Sequence, residues 1–147
     1  ALRVSDIPSF APELLQSCRS ADPLKSKHLE KALMQFAEEG AAKVFRPSIG
    51  SGFIIGVIGS LQFEVLASRI ELEYGLPVRF EASQFKSARW VSGNKIDLDK
   101  FSSENKQHIA IDHDNDLVFL TRLQWDIDRV ERDYPQINLT ATKEMMS

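Results

Sequence analysis

A chain of 147 residues with 43% hydrophobic residues is long enough for one compact domain or two small halves. Its 18 Lys and Arg residues against 21 Asp and Glu residues give a net charge of −3, which argues against nucleic-acid binding through overall charge. The single cysteine, Cys18, excludes an internal disulfide, and no apolar run approaches the ~20 residues of a membrane span. We therefore expect an intracellular protein.

The N-terminal residues predict a connection rather than a folded element. The chain starts at Ala1 instead of Met, and residues 2–10 have the character of a connecting peptide. We expect a fragment of a larger protein, although a processed N-terminus would begin in the same way.

The first half of the chain predicts the order strand, helix, strand, strand, helix, strand. Asp22 before Pro23 combines a capping carboxylate with a proline at the first helical position. Apolar periodicity and turn residues place the strands at 13–19, 42–46, 53–58 and 78–82, and the helices at 22–40 and 59–75.

The segment 52–75 predicts the centre of this half. Residues 53–58 form an almost unbroken apolar run, typical of a strand buried on both faces. Gly59 or Ser60 can cap the helix that follows, and Gly75 can end it. Its apolar stripe contains Phe63, Leu66, Ala67, Ile70 and Tyr74, and it is widened by Leu61, Val65 and Leu72. So broad a stripe predicts a helix at the centre of the fold.

The second half repeats this order in weaker form. Strands are predicted at 88–91, 108–112, 117–120 and 137–141, with one helix capped by Asp97 and another begun by a capping box of Thr121 and Gln124. Residues 143–147 are expected to fray. The sequence thus predicts an α+β domain over residues 1–147, built from two ferredoxin-like (βαββαβ) halves, 1–83 and 84–147, packed together as one module. Whether the halves share one sheet stays open.

Catalytic and cofactor-binding patterns are hard to find. His28, His108 and His113 lack the spacing of a metal site, and Cys18 has no sequence signal for a base partner. Gly56 and Gly59 lie in an apolar run, where close backbone packing explains them better than a dinucleotide fingerprint. We predict no catalytic, cofactor-binding or metal-binding residue.

The acidic run Asp112-x-Asp114-x-Asp116 imitates a calcium loop. Such a loop continues with Gly and places a bidentate Glu at its twelfth position, where this chain has Leu117 and Leu123. Asp and Asn also favour tight turns. We therefore predict an acidic turn between two strands rather than a metal site.

Individual residues give little support for nucleic-acid binding. An RNA-recognition fold stacks bases on two or three exposed aromatic residues, and the candidate strand offers Phe53 alone. Arg89-Trp90 is a basic-aromatic pair, for which a core Trp beside a solvated Arg is the favoured interpretation. Residues suited to meeting phosphate, or to solvating a helix face, are Lys25, Lys27, Lys31, Lys43 and Arg46.

Several segments resemble the C-terminal (third) domain of bacterial peptide chain release factor 3, a translational GTPase. They are Phe10-Ala-Pro-Glu-Leu, Asp22-Pro-Leu-Lys, Leu33-Met-Gln-Phe-Ala-Glu-Glu-Gly-Ala, Val44-Phe-Arg-Pro, Gly59-Ser-Leu-Gln-Phe-Glu-Val-Leu-Ala-Ser-Arg-Ile, Glu73-Tyr-Gly, Ala88-Arg-Trp-Val and Asp133-Tyr-Pro. The resemblance covers almost the whole chain. Residues 58–65 are more distantly similar to the third domain of elongation factor G, which supports the fold alone.

The resemblance implies a ribosome-dependent GTPase that promotes release and recycling of class I release factors. GTP or GDP with Mg would bind in a preceding domain, so this fragment would be no enzyme and would hold no cofactor. Its implied partners are the ribosome (small-subunit rRNA and protein) and the other domains of the same chain, with an indirect link to class I release factors and no membrane. We take the candidate ribosome-contact residues to be Lys25, Lys27, Lys31, Arg46 and Arg89.

Alternatives remain at this point. A tandem ferredoxin-like, small-molecule-sensing regulatory module would bind its ligand at the loop of residues 56–60. A free-standing single-strand RNA binder is disfavoured by the missing stacking aromatics. The five candidate residues can also be plain solubilising charges.

Overall fold

The computed structural model describes residues 9–50 and 52–143, which contain ten β-strands and four α-helices. The first part comprises β1 (Ser9–Phe10), β2 (Leu14–Ser20), α1 (Ser26–Glu39), β3 (Lys43–Pro47), β4 (Phe53–Val57), α2 (Leu61–Tyr74) and β5 (Val78–Ala82). The second comprises β6 (Ser87–Ser92), α3 (Lys95–Glu104), β7 (Ile109–Ile111), β8 (Leu117–Thr121), α4 (Gln124–Asp133), β9 (Asn138–Thr140) and β10 (Thr142–Lys143). Short 3-10 helices, Pro23–Lys25 and Lys106–His108, precede α1 and β7.

Both ends of the described chain meet in a two-stranded ribbon of β1 and β10, with Phe10 opposite Thr142 and Ser9 opposite Lys143. The prediction of a connecting peptide is therefore wrong at Ser9 and Phe10, and the prediction of fraying is wrong at Lys143. The rest of both predictions, residues 2–8 and 144–147, lies outside the described residues.

Eight strands form one antiparallel sheet in the order β5-β2-β4-β3-β7-β8-β6-β9. In each part the first strand of the βαββαβ unit lies between the fourth and the third, and the second strand lies beyond the third. This is the ferredoxin-like order, so the predicted fold class is confirmed. The domain boundary between residues 83 and 84 stays a prediction.

The two parts are joined edge to edge through β3 and β7. Arg46 lies opposite Ile111 and Pro47 opposite Ala110 in an antiparallel pair. Beyond the pair, the Ser48 hydroxyl donates to the carbonyl of Lys106 at 3.0 Å. One sheet therefore runs through both halves.

Each part packs its two helices on one face of its strands. The β4 strand is buried throughout, as predicted for residues 53–57, but Ile58, the last residue of the predicted strand, lies outside it and is 73% exposed. The core under α1 and α2 contains Cys18, Leu33, Phe36, Phe53, Ile55, Leu66 and Ile70. In the second part, Phe101 of α3 lies with its ring centroid 5.4 Å from that of Phe119 and 5.0 Å from that of Tyr134.

A third core joins the helix-free faces of the two parts. Phe45 and Ile54 from the first part belong to one buried cluster with Trp90 and Val118 from the second. In the sheet, β6 lies three strands away from β3, yet Phe45 lines the same narrow gap as Ala88 and Trp90. The sheet must therefore fold over on itself, with the strands inside and the helices outside.

The helix α2 departs from its prediction. Phe63, Leu66 and Ile70 are buried against the sheet. The residues expected to widen the buried stripe are instead exposed: Leu61 by 72%, Val65 by 56% and Leu72 by 82%. The helix is apolar on two opposite faces, and one of them lies on the surface.

The predicted cap residue is correct before α1 and wrong at α3. Asp22 accepts from the Leu24 amide at 3.0 Å, as a cap should, although the turn it starts is the 3-10 helix before α1. At α3 the cap is Asn94, whose side chain accepts from the Asp97 amide at 2.9 Å, so the prediction of Asp97 as the cap is wrong.

The starts of α2 and α4 also differ from prediction. Ser60 is the N-cap residue of α2, as predicted, but its side chain makes no capping bond. The side chain of Gln62 accepts instead from the amides of Ile58 and Gly59. At α4 the carboxylate of Asp126 accepts from the amides of Arg122 and Leu123 at 2.9 and 3.2 Å. The predicted capping box is wrong because the Thr121 hydroxyl bonds to Ser87 across the sheet.

Close packing explains one of the two glycines of the central segment. A Cβ on Gly56 would lie 2.3 Å from Cγ of Pro12 and 3.1 Å from Cδ2 of Leu15, so no larger residue fits. At Gly59 a Cβ would meet nothing within 4 Å, and the packing interpretation is wrong there.

Candidate nucleic-acid interface

Three of the five predicted contact residues lie at the start of α1. Lys25 ends the 3-10 turn before the helix, and Lys27 and Lys31 follow one helical turn apart; all three are exposed. The other side of α1 is anchored by Leu29, Leu33 and Phe36 in the core. This amphipathic pattern fixes the lysines on the outer surface.

The charges of α1 run against its dipole. Its first turn has no acidic residue, its last turn has no basic residue, and Glu38 and Glu39 are its final residues. A helix dipole favours anions at the N-terminus and cations at the C-terminus, so this arrangement costs stability. Cations beside a helix N-terminus form a positive surface of the kind that binds phosphate.

Arg46, in β3, lies close to the basic end of α1, which is formed by Lys25, Lys27 and Lys31. Its Nη1 donates to Oε1 of Glu30 on α1 at 2.8 Å, and the two side chains are 41% and 38% exposed. The ion pair brings Arg46 to the helix that carries Lys27 and Lys31, but it also offsets part of the positive charge.

Arg89 stands apart from the other four residues. It lies in β6 of the second part, is half-buried, and donates from Nη1 to the carbonyl of Ala88 at 2.8 Å. Trp90 is 6% exposed and donates from Nε1 to Asp112 at 3.0 Å. Trp90 is therefore a core residue, as favoured, and the pair offers no exposed ring for stacking.

No open sheet face is available for bases in the described part of the chain. Phe53 is 5% exposed and lies beneath the helices. The helix-free face, where an RNA-recognition module stacks bases, is buried in the central core.

The acidic residues 112–116 form the turn between β7 and β8, as predicted. The Asp112 carboxylate accepts from the amides of Asp114 and Asp116 at 2.9 and 3.0 Å. Asn115 takes a left-handed conformation, with φ of 65°. The turn is thus held by the first of its aspartates.

Lys143, which no sequence pattern singled out, forms ion pairs with all three aspartates of this turn. The Lys143 ammonium donates to Asp112 at 2.6 Å, Asp114 at 3.1 Å and Asp116 at 2.8 Å. Burial alone would lower the pKa of Lys143, but the hydrogen bonds to Asp112 and Asp116 outweigh it and raise that pKa. Likewise, burial would raise the pKa of Asp112, but the bonds from Lys143, the Asp116 amide and Trp90 lower it.

The same turn contains the one metal-compatible group among residues 9–50 and 52–143. Ligand atoms of Asp112, His113 and Asp114 lie within 4.8 Å of one another. Lys143 already supplies the positive charge that a cation would bring to these carboxylates. The absence of metal binding stays a prediction.

Lys43 lies near this cluster and is half-buried. Burial is the main cause that lowers its pKa, followed by the positive charge of Lys143. It therefore does not belong to the exposed basic end of α1.

Cys18 and His108, two further residues considered for catalysis or metal binding, are both packed within the fold. Cys18 is fully buried, and burial raises the pKa of its thiol to about 12, so a thiolate is strongly disfavoured. Nδ1 of His108 lies 2.8 Å from the Leu120 carbonyl, and its ring packs against Phe85 and Phe119.

A groove of about 530 Å³ borders the loop proposed for small-molecule sensing. Its lining includes Phe10, Pro12, Gly56, Ile58 and Gln62. The amides of Ile58 and Gly59 are already bonded to Gln62, at 3.0 and 3.2 Å. A carboxylate ligand at this loop would have to displace that side chain.

The fold is a two-part α+β domain with an exposed cluster of lysines at the start of α1. The chain belongs to the family of the Class II release factor RF3, C-terminal domain, which it matches over residues 4–131. It is thus a domain of a translation-termination GTPase, and the family is a non-catalytic C-terminal domain. The resemblance found in the sequence is confirmed. No helix in the described residues is long and apolar enough to cross a bilayer.

Proposed function

We propose that this domain docks a translation-termination GTPase on the ribosome, through small-subunit rRNA and protein, and so promotes release and recycling of class I release factors. The observation that supports the rRNA contact is the charge order of α1. Lys25 and Lys27 stand at the start of the helix, where cations cost stability, and Lys31 follows one turn later. A contact with phosphate would offset this cost.

The architecture suits a rigid connecting body. One sheet passes through both parts, and a shared core joins their helix-free faces. Motion of the whole domain can then follow the nucleotide state of the enzyme without deformation inside the domain. A few lysine–phosphate contacts are enough to orient such a body despite the net charge of −3.

The remaining roles follow from this assignment. GTP or GDP with Mg binds in another domain of the same cytoplasmic protein, and this domain contributes neither catalysis nor a cofactor site. Its contacts are with the ribosome and with the other domains of its chain, and its link to class I release factors is indirect.

Charge reversal on α1 tests the proposal. In the full-length factor, the double variant K27E/K31E should bind ribosomes about tenfold more weakly and with a shallower dependence on salt, because fewer phosphate contacts release fewer counterions. Binding is measured at several salt concentrations. The control is K100E, which reverses an exposed lysine on α3 and should leave affinity and salt slope unchanged.

The free energy of unfolding of the K27E variant shows whether weaker ribosome binding comes from a lost contact or from a less stable fold. K27E alone should raise the free energy of unfolding by about 0.5 kcal/mol, because Glu near the N-terminus suits the helix dipole and pairs with Lys31 one turn later. A more stable variant with weaker ribosome binding supports the proposal. Unchanged ribosome affinity of K27E/K31E at low and high salt would contradict it.

A further inference from the structure

The outer face of α2 carries an apolar stripe that the fold does not use. Leu61, Val65 and Leu72, spaced four and seven residues apart, are 72%, 56% and 82% exposed. Ser68 interrupts these apolar residues between Val65 and Leu72. The stripe lies on the side of the helix opposite the buried Phe63, Leu66 and Ile70. Polar residues at these positions would leave the core intact, so the fold does not explain why they are apolar. Contiguous apolar residues on a surface are typical of a site that binds another molecule.

The stripe continues past the start of the helix. Ile58, just before α2, is 73% exposed and lines the groove described above. Phe10, which is 62% exposed, lines the same groove. Exposed apolar residues are therefore present both on the α2 stripe and at the groove that precedes the helix in the chain.

The charges around the stripe are acidic. Glu64 and Glu71 flank it on one side and are exposed. On the other side the cation is Arg69, whose guanidinium donates to Glu39 at 2.9 Å and Glu73 at 2.8 Å. The positive charge of Arg69 is thus compensated, and the border of the stripe is negative overall.

This charge pattern selects the kind of partner. Nucleic acid is disfavoured because phosphates would meet Glu64 and Glu71. A second copy of the chain is also disfavoured, since pairing two stripes brings the flanking carboxylates of both copies together. An apolar protein surface flanked by Lys or Arg complements both the apolar side chains of the stripe and its acidic border.

We propose that the α2 stripe of Leu61, Val65 and Leu72 binds an apolar, Lys/Arg-flanked surface of a ribosomal protein. The inference rests on the proposed ribosome docking and divides it between two helices. The basic end of α1 meets phosphate, whereas the outer face of α2 meets a basic protein.

Binding of the full-length factor to purified ribosomes tests the stripe. The variant V65Q/L72Q should lose about tenfold in affinity, because two side chains that become buried on binding are made polar. Its salt slope should match the wild type, in contrast to K27E/K31E, because no phosphate contact is removed. The control I96Q changes an aliphatic residue on α3 that is 82% exposed, and should bind normally. Unchanged affinity of V65Q/L72Q would overturn the inference.

Crosslinking identifies what covers the stripe. A photoreactive amino acid at position 72 of the ribosome-bound factor should label a ribosomal-protein peptide that contains aliphatic residues flanked by Lys or Arg, whereas position 96 should not label that peptide. Labelling mainly of rRNA, of a second copy, or of another segment of the same chain would overturn the inference. If wild-type factor fails to bind ribosomes, the proposed function fails; if K27E/K31E weakens binding and V65Q/L72Q does not, the inference alone fails.

Discussion

Lys143 holds three carboxylates and an indole in one place. Its ammonium contacts the whole acidic turn and lies 5.7 Å from the Trp90 ring centroid, while Trp90 donates to the same Asp112. Asp112 and Lys143 expose only 4% and 16% of their side chains, so each charge depends on the other for compensation. One residue near the end of the described chain thereby ties β10 to the β7–β8 turn.

Replacing Lys143 by Met should lower the free energy of unfolding at pH 7 by about 2–4 kcal/mol, because Asp112 is left buried and charged without its cation. Chemical denaturation measures the loss. The control is K95M, which breaks an exposed pair with Asp99 and should change stability by less than about 1 kcal/mol.

The pH dependence of this loss follows from the lowered pKa of Asp112. A carboxyl group whose pKa is depressed by folding contributes stability above its unfolded pKa of about 4, and the contribution disappears as pH falls through the folded pKa. The difference between wild type and K143M should therefore shrink below about pH 4. A difference that is equally large at pH 7 and pH 3 would contradict the assignment.

At the scale of the element, local hydrogen bonds decide where helices begin. Asn94 rather than Asp97 caps α3, and Asp126 reaches back to two amides before α4. Each start contains several Asp, Asn, Ser or Thr residues within one turn, and composition does not distinguish which of them has its side chain beside a free amide.

Substituting Asn94 by Ala should cost about 1 kcal/mol of stability, because the Asp97 amide loses its acceptor. The matched variant D97A removes a first-turn carboxylate without removing a cap and should cost only a few tenths of a kcal/mol. Thermal unfolding of both variants compares them. A larger loss for D97A would show that the cap is assigned wrongly.

For the whole molecule, the shared sheet and the central core couple the two parts. Phe45 of β3 is 1% exposed and belongs to the core that includes Trp90 and Val118. Since β3 also pairs with β7, opening of the first part removes both sheet pairing and packing from the second. We expect the chain to unfold in a single transition.

Truncation of Phe45 to Ala should lower the free energy of unfolding by about 3–5 kcal/mol, through lost burial and the cavity left behind. Hydrogen exchange should accelerate in β8 as much as in β4, because the parts open together. The control L24A changes a residue that is 92% exposed and should leave exchange unaltered. Faster exchange confined to the first part would show that the parts unfold independently.

Much of the fold was accessible from local patterns. Periodicity placed the elements of both βαββαβ units, and Gly75 ended α2 as predicted, in a left-handed conformation with φ of 62°. Of the candidate site, the exposed lysines of α1 were found because its buried stripe of Leu29, Leu33 and Phe36 leaves them the outer face. These features depend on neighbours within a turn or two of the chain, and therefore on the order of residues alone.

Long-range contacts decided the rest. The sequence could not show that Phe45 would meet Trp90, that Lys143 would reach Asp112, or that Arg46 would pair with Glu30, because each partner comes from a distant element. The same holds for α2, whose two apolar stripes are equivalent in the sequence. Only the position of the sheet determines that Phe63, Leu66 and Ile70 are buried while Leu61, Val65 and Leu72 remain exposed.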